Sequence, residues 1–176
     1  MPRLTPVDPA TVTGPSKEIF DGPMKTLRFN IFKSMGNSPA ALNVYLGMSH
    51  ALDKAALNAK EREVIQLVVG EANGCDYCAN AHTAIGKMVG LTEAQTIEAR
   101  RGTLSDAKLN AVAKFALAIH EKRGNVSDSD VQAFKSAGYT DAHIAEAVAC
   151  YALAIYTNYF NHVNETVSDF PAAPAI

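Results

Sequence analysis

The chain has 176 residues, of which 48% are hydrophobic and 19% are charged, with a formal net charge of −2. This length is sufficient for one domain with a substantial core, so we expect a single domain over residues 1–176. The near-neutral charge gives no electrostatic reason to expect nucleic acid or an anionic membrane as a partner. The first residues lack the apolar core of a signal peptide, and no apolar run approaches the roughly 20 residues that span a bilayer. We therefore expect a soluble, cytoplasmic protein.

Five prolines fall within residues 1–23, which predicts an extended N-terminal arm with at most a short turn near residues 16–20. Helix caps recur along the rest of the chain, and the alternating pattern of strands is missing. The predicted helices span residues 24–35, 39–57, 58–72, 75–89, 92–101, 105–123, 127–138 and 140–167. The sequence thus predicts an all-α fold, a compact bundle of about seven or eight helices. The last helix is apolar on several sides, which favours a central position, a subunit interface or both.

Two of the three cysteines form a C-x-x-C pair, Cys75 and Cys78, and His82 follows four residues later. If Gly74 opens a helix, the step of about 100° per residue places all three side chains in one stripe. Thiols at this spacing can form a disulfide, and an imidazole one turn away can accept a proton from them. Residues 58–90 are therefore expected to form a helical hairpin with a redox-active Cys75–Cys78 disulfide.

The two thiols differ in their expected roles. Cys75 is nearer the helix N-terminus, where the helix dipole stabilises a thiolate. Cys78 is one turn before His82, which can take its proton as a general base. We favour Cys78 as the nucleophile because it has the base, and Cys75 as the thiol that resolves the oxidised form.

A catalytic histidine also needs a group that orients it. Glu63 lies about 15 Å before the predicted turn and His82 about 12 Å after it, so antiparallel helices would bring them to similar heights. Glu71 is the alternative carboxylate, because it lies on the predicted apolar stripe of its helix. Tyr77, between the cysteines, is expected to line a pocket with Glu71 or to contact a neighbouring subunit. Asp76 is expected to cap its helix.

A zinc site is the main alternative for these residues. Its ligands would be Cys75, Cys78 and His82, with a fourth from Glu63, His120 or His143. Structural zinc sites usually take two ligands from a second cysteine or histidine pair, and this chain has none. Cys150, in an apolar run, is expected to be a small buried hydrophobe. We favour thiol chemistry with no resident metal, haem or flavin cofactor.

The segment EREVIQLVVGEANGCDYCANAH, with Glu63 before Cys75-x-x-Cys78-x-x-x-His82, resembles the core motif of the alkylhydroperoxidase D-like (AhpD-like) proteins. These belong to the carboxymuconolactone decarboxylase superfamily, and residues 158–162 are similar to a segment of its peroxidase-related branch. The resemblance implies an all-α fold and reduction of hydroperoxides. It implies Cys78 as the peroxidatic cysteine, Cys75 as the resolving one, His82 as the proton relay and Glu63 as its support.

The resemblance also implies a homo-oligomer, trimeric or hexameric, and regeneration by an external dithiol such as a lipoylated protein. The better-studied peroxidases have a histidine where this chain has Tyr77, and a phenol is a poorer proton relay near neutral pH. We therefore expect a thiol-dependent peroxidase. The alternative is a non-enzymatic redox sensor, or a protein disulfide reductase, that uses the same cysteine pair.

Overall fold

The computed structural model describes residues 1–176 and contains nine α-helices and no strand. The helices are α1 (Pro15–Asp21), α2 (Asn30–Met35), α3 (Pro39–Leu52), α4 (Ala59–Ala72), α5 (Asp76–Met88), α6 (Glu93–Arg100), α7 (Ala107–Glu121), α8 (Asp128–Ser136) and α9 (Asp141–Asn164). The predicted all-α fold is confirmed. None of these helices is both long and apolar enough to cross a bilayer.

The predictions for the first two helices need correction. The short turn expected near residues 16–20 is a helix, α1, which raises the number of helices to nine. The next helix begins at Asn30 rather than at Met24. Met24 is fully buried in the turn after α1, and Phe29 has extended backbone angles, so residues 24–29 cannot continue one helix.

Two other helices end three or more residues earlier than predicted, because tertiary hydrogen bonds or a backbone reversal intervene. Helix α3 ends at Leu52 instead of residue 57, and the backbone N–H groups of Ala56 and Leu57 donate to the carboxylate of Glu146, at 2.8 and 2.9 Å. Helix α9 ends at Asn164 instead of residue 167. The next residue adopts a left-handed conformation with a φ of 50°.

Helix α4 begins and ends as predicted, with a capping box formed by Asn58 and Glu61. The prediction of a single apolar stripe on α4 is too narrow. The helix contacts α5, α6, α7 and α9, and it is buried on nearly every side from Val64 to Gly70. A helix enclosed by four neighbours has no solvent face along its central turns.

The turn between α4 and α5 determines how these two helices pack. Gly74 has a φ of 64°, a left-handed conformation that glycine adopts without steric penalty, and the N–H of Cys75 donates to the carbonyl of Gly70. A Cβ atom on Gly70 would lie 3.3 Å from the Cβ of Cys78. The absence of a side chain at Gly70 therefore allows the start of α5 to lie directly against α4.

The apolar side chains form two clusters. The larger one joins α4 to α7 and α9, and the smaller one joins α1, α2 and α3 to the start of α5. The smaller cluster includes Phe20, Phe32 and Leu42 together with both Cys75 and Cys78. The predicted redox segment thus packs against the N-terminal third of the chain.

We predict that Tyr139→Phe lowers the free energy of unfolding by about 1–3 kcal/mol, because it leaves a buried acceptor without its donor. Glu61 is only 3% exposed, and its Oε1 accepts the hydroxyl of Tyr139 at 2.8 Å. Urea denaturation measures the change. Tyr151→Phe is the control, because that hydroxyl contacts His120 at a half-buried position where water can replace it. Equal losses in both variants would contradict this prediction.

Candidate thiol redox site

Cys75 and Cys78 are joined by a disulfide, with their Cα atoms 5.2 Å apart. Cys75 is the N-cap of α5, and its Sγ accepts the backbone N–H of Cys78 at 3.3 Å. The expectation that Asp76 caps this helix is therefore wrong, since Asp76 is its first residue and is exposed. Each cysteine is only 2% exposed, so the disulfide is shielded from bulk solvent.

His82 and Glu63 form a direct pair between α5 and α4. The Nδ1 atom of His82 lies 2.8 Å from Oε2 of Glu63, and the two side chains are 18% and 14% exposed. The similar heights expected from the antiparallel hairpin are found in the structure. The contact holds the imidazole in one orientation and leaves its Nε2 atom for another partner.

A cavity of about 260 Å³ lies beside this pair. Most of its 21 lining residues are hydrophobic, and they include Phe29, Phe32 and Leu153. Cys78 and the paired His82 and Glu63 line the cavity, whereas Cys75 does not. A molecule bound in the cavity would therefore meet Cys78 rather than Cys75.

Asn161 of α9 is a site residue that we did not predict. Its side-chain Nδ2 donates to Sγ of Cys78 at 3.4 Å, and it is 5% exposed. The only signal in the sequence was its position in the segment 158–162, which resembles a segment of peroxidase-related proteins. That resemblance did not indicate a role for Asn161. The neighbouring Asn158 accepts a hydrogen bond from Asn73 at the end of α4, which ties α9 to the redox hairpin.

Tyr77 lines the cavity, which is one of the two positions that we predicted for it. Its hydroxyl donates to Oδ1 of Asp169 at 2.8 Å. Burial, together with the nearby Asp169 carboxylate, raises the pKa of Tyr77 above its usual value. The phenol consequently stays protonated at physiological pH, so it acts as a hydrogen-bond donor and not as a base.

Glu71 lies outside the cavity, contrary to the expectation that it lines a pocket. Its Oε2 accepts a hydrogen bond from Nε of Arg100 at 2.7 Å, across the interface between α4 and α6. Glu71 is two turns beyond Glu63 on α4, and the guanidinium on α6 holds its carboxylate. Glu63 is therefore the carboxylate that contacts His82.

Cys150 is buried as predicted, although it also lines the cavity. Burial raises the pKa of the Cys150 thiol to about 12, so it stays protonated. Nε2 of Gln66 contacts its sulfur at 3.6 Å. A protonated, buried thiol is a poor nucleophile, and Cys78 is the other cysteine that lines this cavity.

Of the three residues suggested as a fourth zinc ligand, Glu63 contacts His82, whereas the two histidines lie elsewhere in the fold. His120 pairs with Tyr151, and His143 accepts the N–H of Thr140 at the start of α9. Neither lines the cavity, and no group of three or more His, Cys, Asp or Glu side chains is arranged to hold a metal ion.

The fold and the site define an all-α protein with a C-x-x-C pair beside a histidine–carboxylate pair. Residues 39–122 match the model of the carboxymuconolactone decarboxylase family. Over these residues the chain is similar to the carboxymuconolactone decarboxylase family, and its fold is AhpD-like.

Three solved structures show the same fold. A peroxidase-related protein with an AhpD core from Ralstonia eutropha JMP134 has a TM-score of 0.83 and 20% identity, covering 96% of this chain and 92% of its own. A peroxidase-related protein from Silicibacter sp. TM1040 has a TM-score of 0.81 and 21% identity, covering 94% and 89%. The debrominase Bmp8 in complex with 2,3,4-tribromopyrrole has a TM-score of 0.78 and 19% identity, covering 98% and 93%.

Among curated sequences, the protein YdfG of Bacillus subtilis (strain 168) is 29% identical over 56 residues. The matched segment spans 32% of this chain and 38% of YdfG. Two of the solved structures are of peroxidase-related proteins and one is of a debrominase, so the shared fold does not by itself define the reaction.

We predict that His82→Ala slows alkylation of reduced Cys78 by iodoacetamide about tenfold or more at pH 7. Without a base, only a few per cent of an ordinary thiol is ionised at this pH. Stopped-time labelling with peptide mass spectrometry measures the rate at Cys78. His120→Ala is the control, because that histidine lies outside the cavity. An unchanged rate and pH profile in His82→Ala would remove His82 from the mechanism.

Proposed function

We propose that the protein is a thiol-dependent peroxidase, which reduces hydroperoxides with the Cys75–Cys78 pair and is regenerated by an external dithiol. One observation supports this above the others: Cys78 lines a largely hydrophobic cavity that it shares with the Glu63-bound His82. The CxxC pair and the AhpD-like fold fit a peroxidase-related role. The reaction uses sulfur alone and has no need of a resident metal, haem or flavin.

The reaction begins from the reduced protein. His82 accepts the proton of the Cys78 thiol, and the thiolate attacks one oxygen of the hydroperoxide. The S–O bond forms as the O–O bond breaks, so sulfur is oxidised to a sulfenic acid and the peroxide is reduced. His82 returns its proton to the departing alkoxide, which leaves as the alcohol.

The second half of the reaction restores the disulfide. The Cys75 sulfur attacks the sulfur of the Cys78 sulfenic acid, and water leaves. The external dithiol then donates two electrons to the disulfide and becomes a disulfide itself. The cycle balances, with one hydroperoxide and one dithiol consumed for each alcohol and water released.

Three neighbours would support the thiolate of Cys78. The Asn161 amide donates to its sulfur, and the N-terminus of α5 contributes a positive partial charge. Glu63 stabilises the imidazolium that forms when His82 takes the proton, as a carboxylate does in other activated nucleophile systems.

The burial of the disulfide favours a slender reductant. With each cysteine 2% exposed, a broad protein surface cannot reach the sulfur atoms without displacing side chains. A dithiol on a flexible arm, such as a lipoyl group, could enter the cavity and attack from the side of Cys78. We therefore propose a small dithiol or a lipoylated protein as the electron donor.

We further propose that the chain acts as a homo-oligomer, trimeric or hexameric. Helix α9 has no Asp, Glu, Lys or Arg between residues 147 and 164, and its outer face exposes Val148, Tyr159 and Val163. An uncharged apolar face of this kind is typical of the buried part of subunit interfaces.

We predict that Cys78→Ser and Cys75→Ser each abolish steady-state reduction of a hydroperoxide by dihydrolipoamide. The two variants should differ in a single turnover, because Cys75→Ser can still form a sulfenic acid at Cys78. Dimedone labelling followed by mass spectrometry should detect that acid in Cys75→Ser and not in Cys78→Ser.

Normal turnover in Cys78→Ser would show that the assignment of the nucleophile is wrong. Stoichiometric oxidation of the unaltered chain by peroxide, without turnover by any dithiol, would favour the redox-sensor alternative. Reduction of protein disulfides without peroxide turnover would instead favour the disulfide reductase.

We also predict that Val163→Glu dissociates the oligomer, because a carboxylate buried in an apolar interface loses its hydration. Light scattering coupled to size-exclusion chromatography measures the mass. Met88→Glu is the control, since Met88 is an exposed apolar residue at the end of α5, outside this face. A monomeric mass for the unaltered chain would contradict the proposed oligomer.

A further inference from the structure

The segment after α9, residues 165–174, is irregular and runs back over the redox helix; we call it the C-terminal strap. It starts with a left-handed residue, Glu165. Side chains of three helices hold it at both ends. The contacts are Asn30 Nδ2 to the carbonyl of Val167, Asn80 Nδ2 to Oγ of Ser168, the N–H of Ala173 to Oδ1 of Asn80, and the Arg100 guanidinium to the carbonyl of Pro174.

The middle of the strap is fixed by one carboxylate. Oδ1 of Asp169 accepts the hydroxyl of Tyr77 at 2.8 Å, and Oδ2 accepts the backbone N–H of Asn30 at 2.8 Å. One of these donors lies between the two cysteines and the other opens α2. Asp169 therefore joins the strap to two walls of the cavity at once.

The next residue, Phe170, is itself part of the cavity wall. Its ring centroid lies 4.6 Å from that of Phe29 and 5.7 Å from that of Tyr77, which it meets nearly edge-on at 86°. These are favourable aromatic geometries. Phe170 thus connects Phe29 and Tyr77 in the wall of the cavity that Cys78 also lines.

We propose that Phe170 limits the size of the molecule that reaches Cys78, and that Asp169 is the positioning residue that holds Phe170 in the wall. The proposal extends the proposed peroxidase function. Its consequence for the choice of substrate rests on that function. With the strap in place, the cavity has about 260 Å³, which suits a small apolar hydroperoxide. Removing the Phe170 ring would open that wall and admit bulkier molecules.

The exposure and the irregular backbone of the C-terminal strap agree with a role in controlling access to Cys78. Phe170 is half-buried, Asp169 is exposed, and the strap has no regular secondary structure. Side-chain hydrogen bonds and one aromatic residue hold it, rather than a buried core. Such a segment can be altered without disturbing the bundle beneath it.

The test measures access to Cys78 directly and needs no peroxidase activity. In a Cys75→Ser background, Cys78 is labelled with iodoacetamide, a small reagent, and with N-(1-pyrenyl)maleimide, a bulky one. We expect Phe170→Ala to raise the rate with the bulky reagent about tenfold and the rate with iodoacetamide less than about twofold. Phe170→Trp should lower the rate with the bulky reagent.

Phe160→Ala is the matched control. Phe160 packs against the same apolar cluster as the redox pair but does not line the cavity, so its removal should leave the ratio of the two rates unchanged. Asp169→Ala should reproduce the size-selective increase, and Asp169→Asn, which keeps one acceptor, should restore part of the selectivity. Partial rescue distinguishes positioning of Phe170 from a general loosening of the fold.

An equal increase with both reagents, no increase in Phe170→Ala, or the same change in Phe160→Ala would overturn the inference. Steady-state rates with tert-butyl and cumene hydroperoxide separate it from the proposed function. If the unaltered chain reduces neither peroxide, the peroxidase proposal fails, and the labelling ratios still decide the role of Phe170. If it reduces both, Phe170→Ala should raise kcat/KM selectively for the bulkier cumene hydroperoxide.

Discussion

The enclosure of α4 by four other helices is the constraint on which the rest of the structure depends. Its central turns have no solvent face, so a polar side chain that is buried on this helix needs a partner within the fold. Glu61 completes the helix cap and accepts the hydroxyl of Tyr139, and Glu63 binds His82. The direction of each carboxylate is thus set by the helices around it. Glu71 is a further example. Arg100 on α6 donates a hydrogen bond to its carboxylate, which lies outside the cavity.

The three cysteine sulfur atoms have the same intrinsic chemistry but lie in different environments. Cys78 faces the cavity beside His82, Cys75 caps the helix behind it, and Cys150 faces the cavity with its pKa raised by burial. A thiol is a nucleophile only when its thiolate is stabilised and can be reached by the substrate. Cys78 alone combines a nearby base with a place in the cavity wall. The proposed difference in roles therefore depends on position within the fold, because the residue type is common to all three.

The parts of the site that sequence could predict are those joined by short segments of chain. Cys75, Cys78 and His82 lie within about two turns of one helix, so helical periodicity alone relates them. Glu63 could also be predicted, because a single tight turn at Gly74 reverses the chain. The positions of residues along the two antiparallel helices can then be estimated from the rise per residue. Asn161 and Phe170 could not be found in this way. Each meets the redox helix from more than 80 residues away, and no local pattern records that contact.

By itself the sequence determined the all-α class, most helix starts and the redox motif, because caps, glycine stops and helical spacing are local properties. Tertiary structure decided where α3 ends, since the Glu146 carboxylate takes the backbone N–H groups that another helical turn would have used. It also decided that Tyr77 donates to Asp169, and which cysteine of the C-x-x-C pair lines the cavity. These outcomes depend on burial and on partners distant in the chain, and both exist only after the helices have packed.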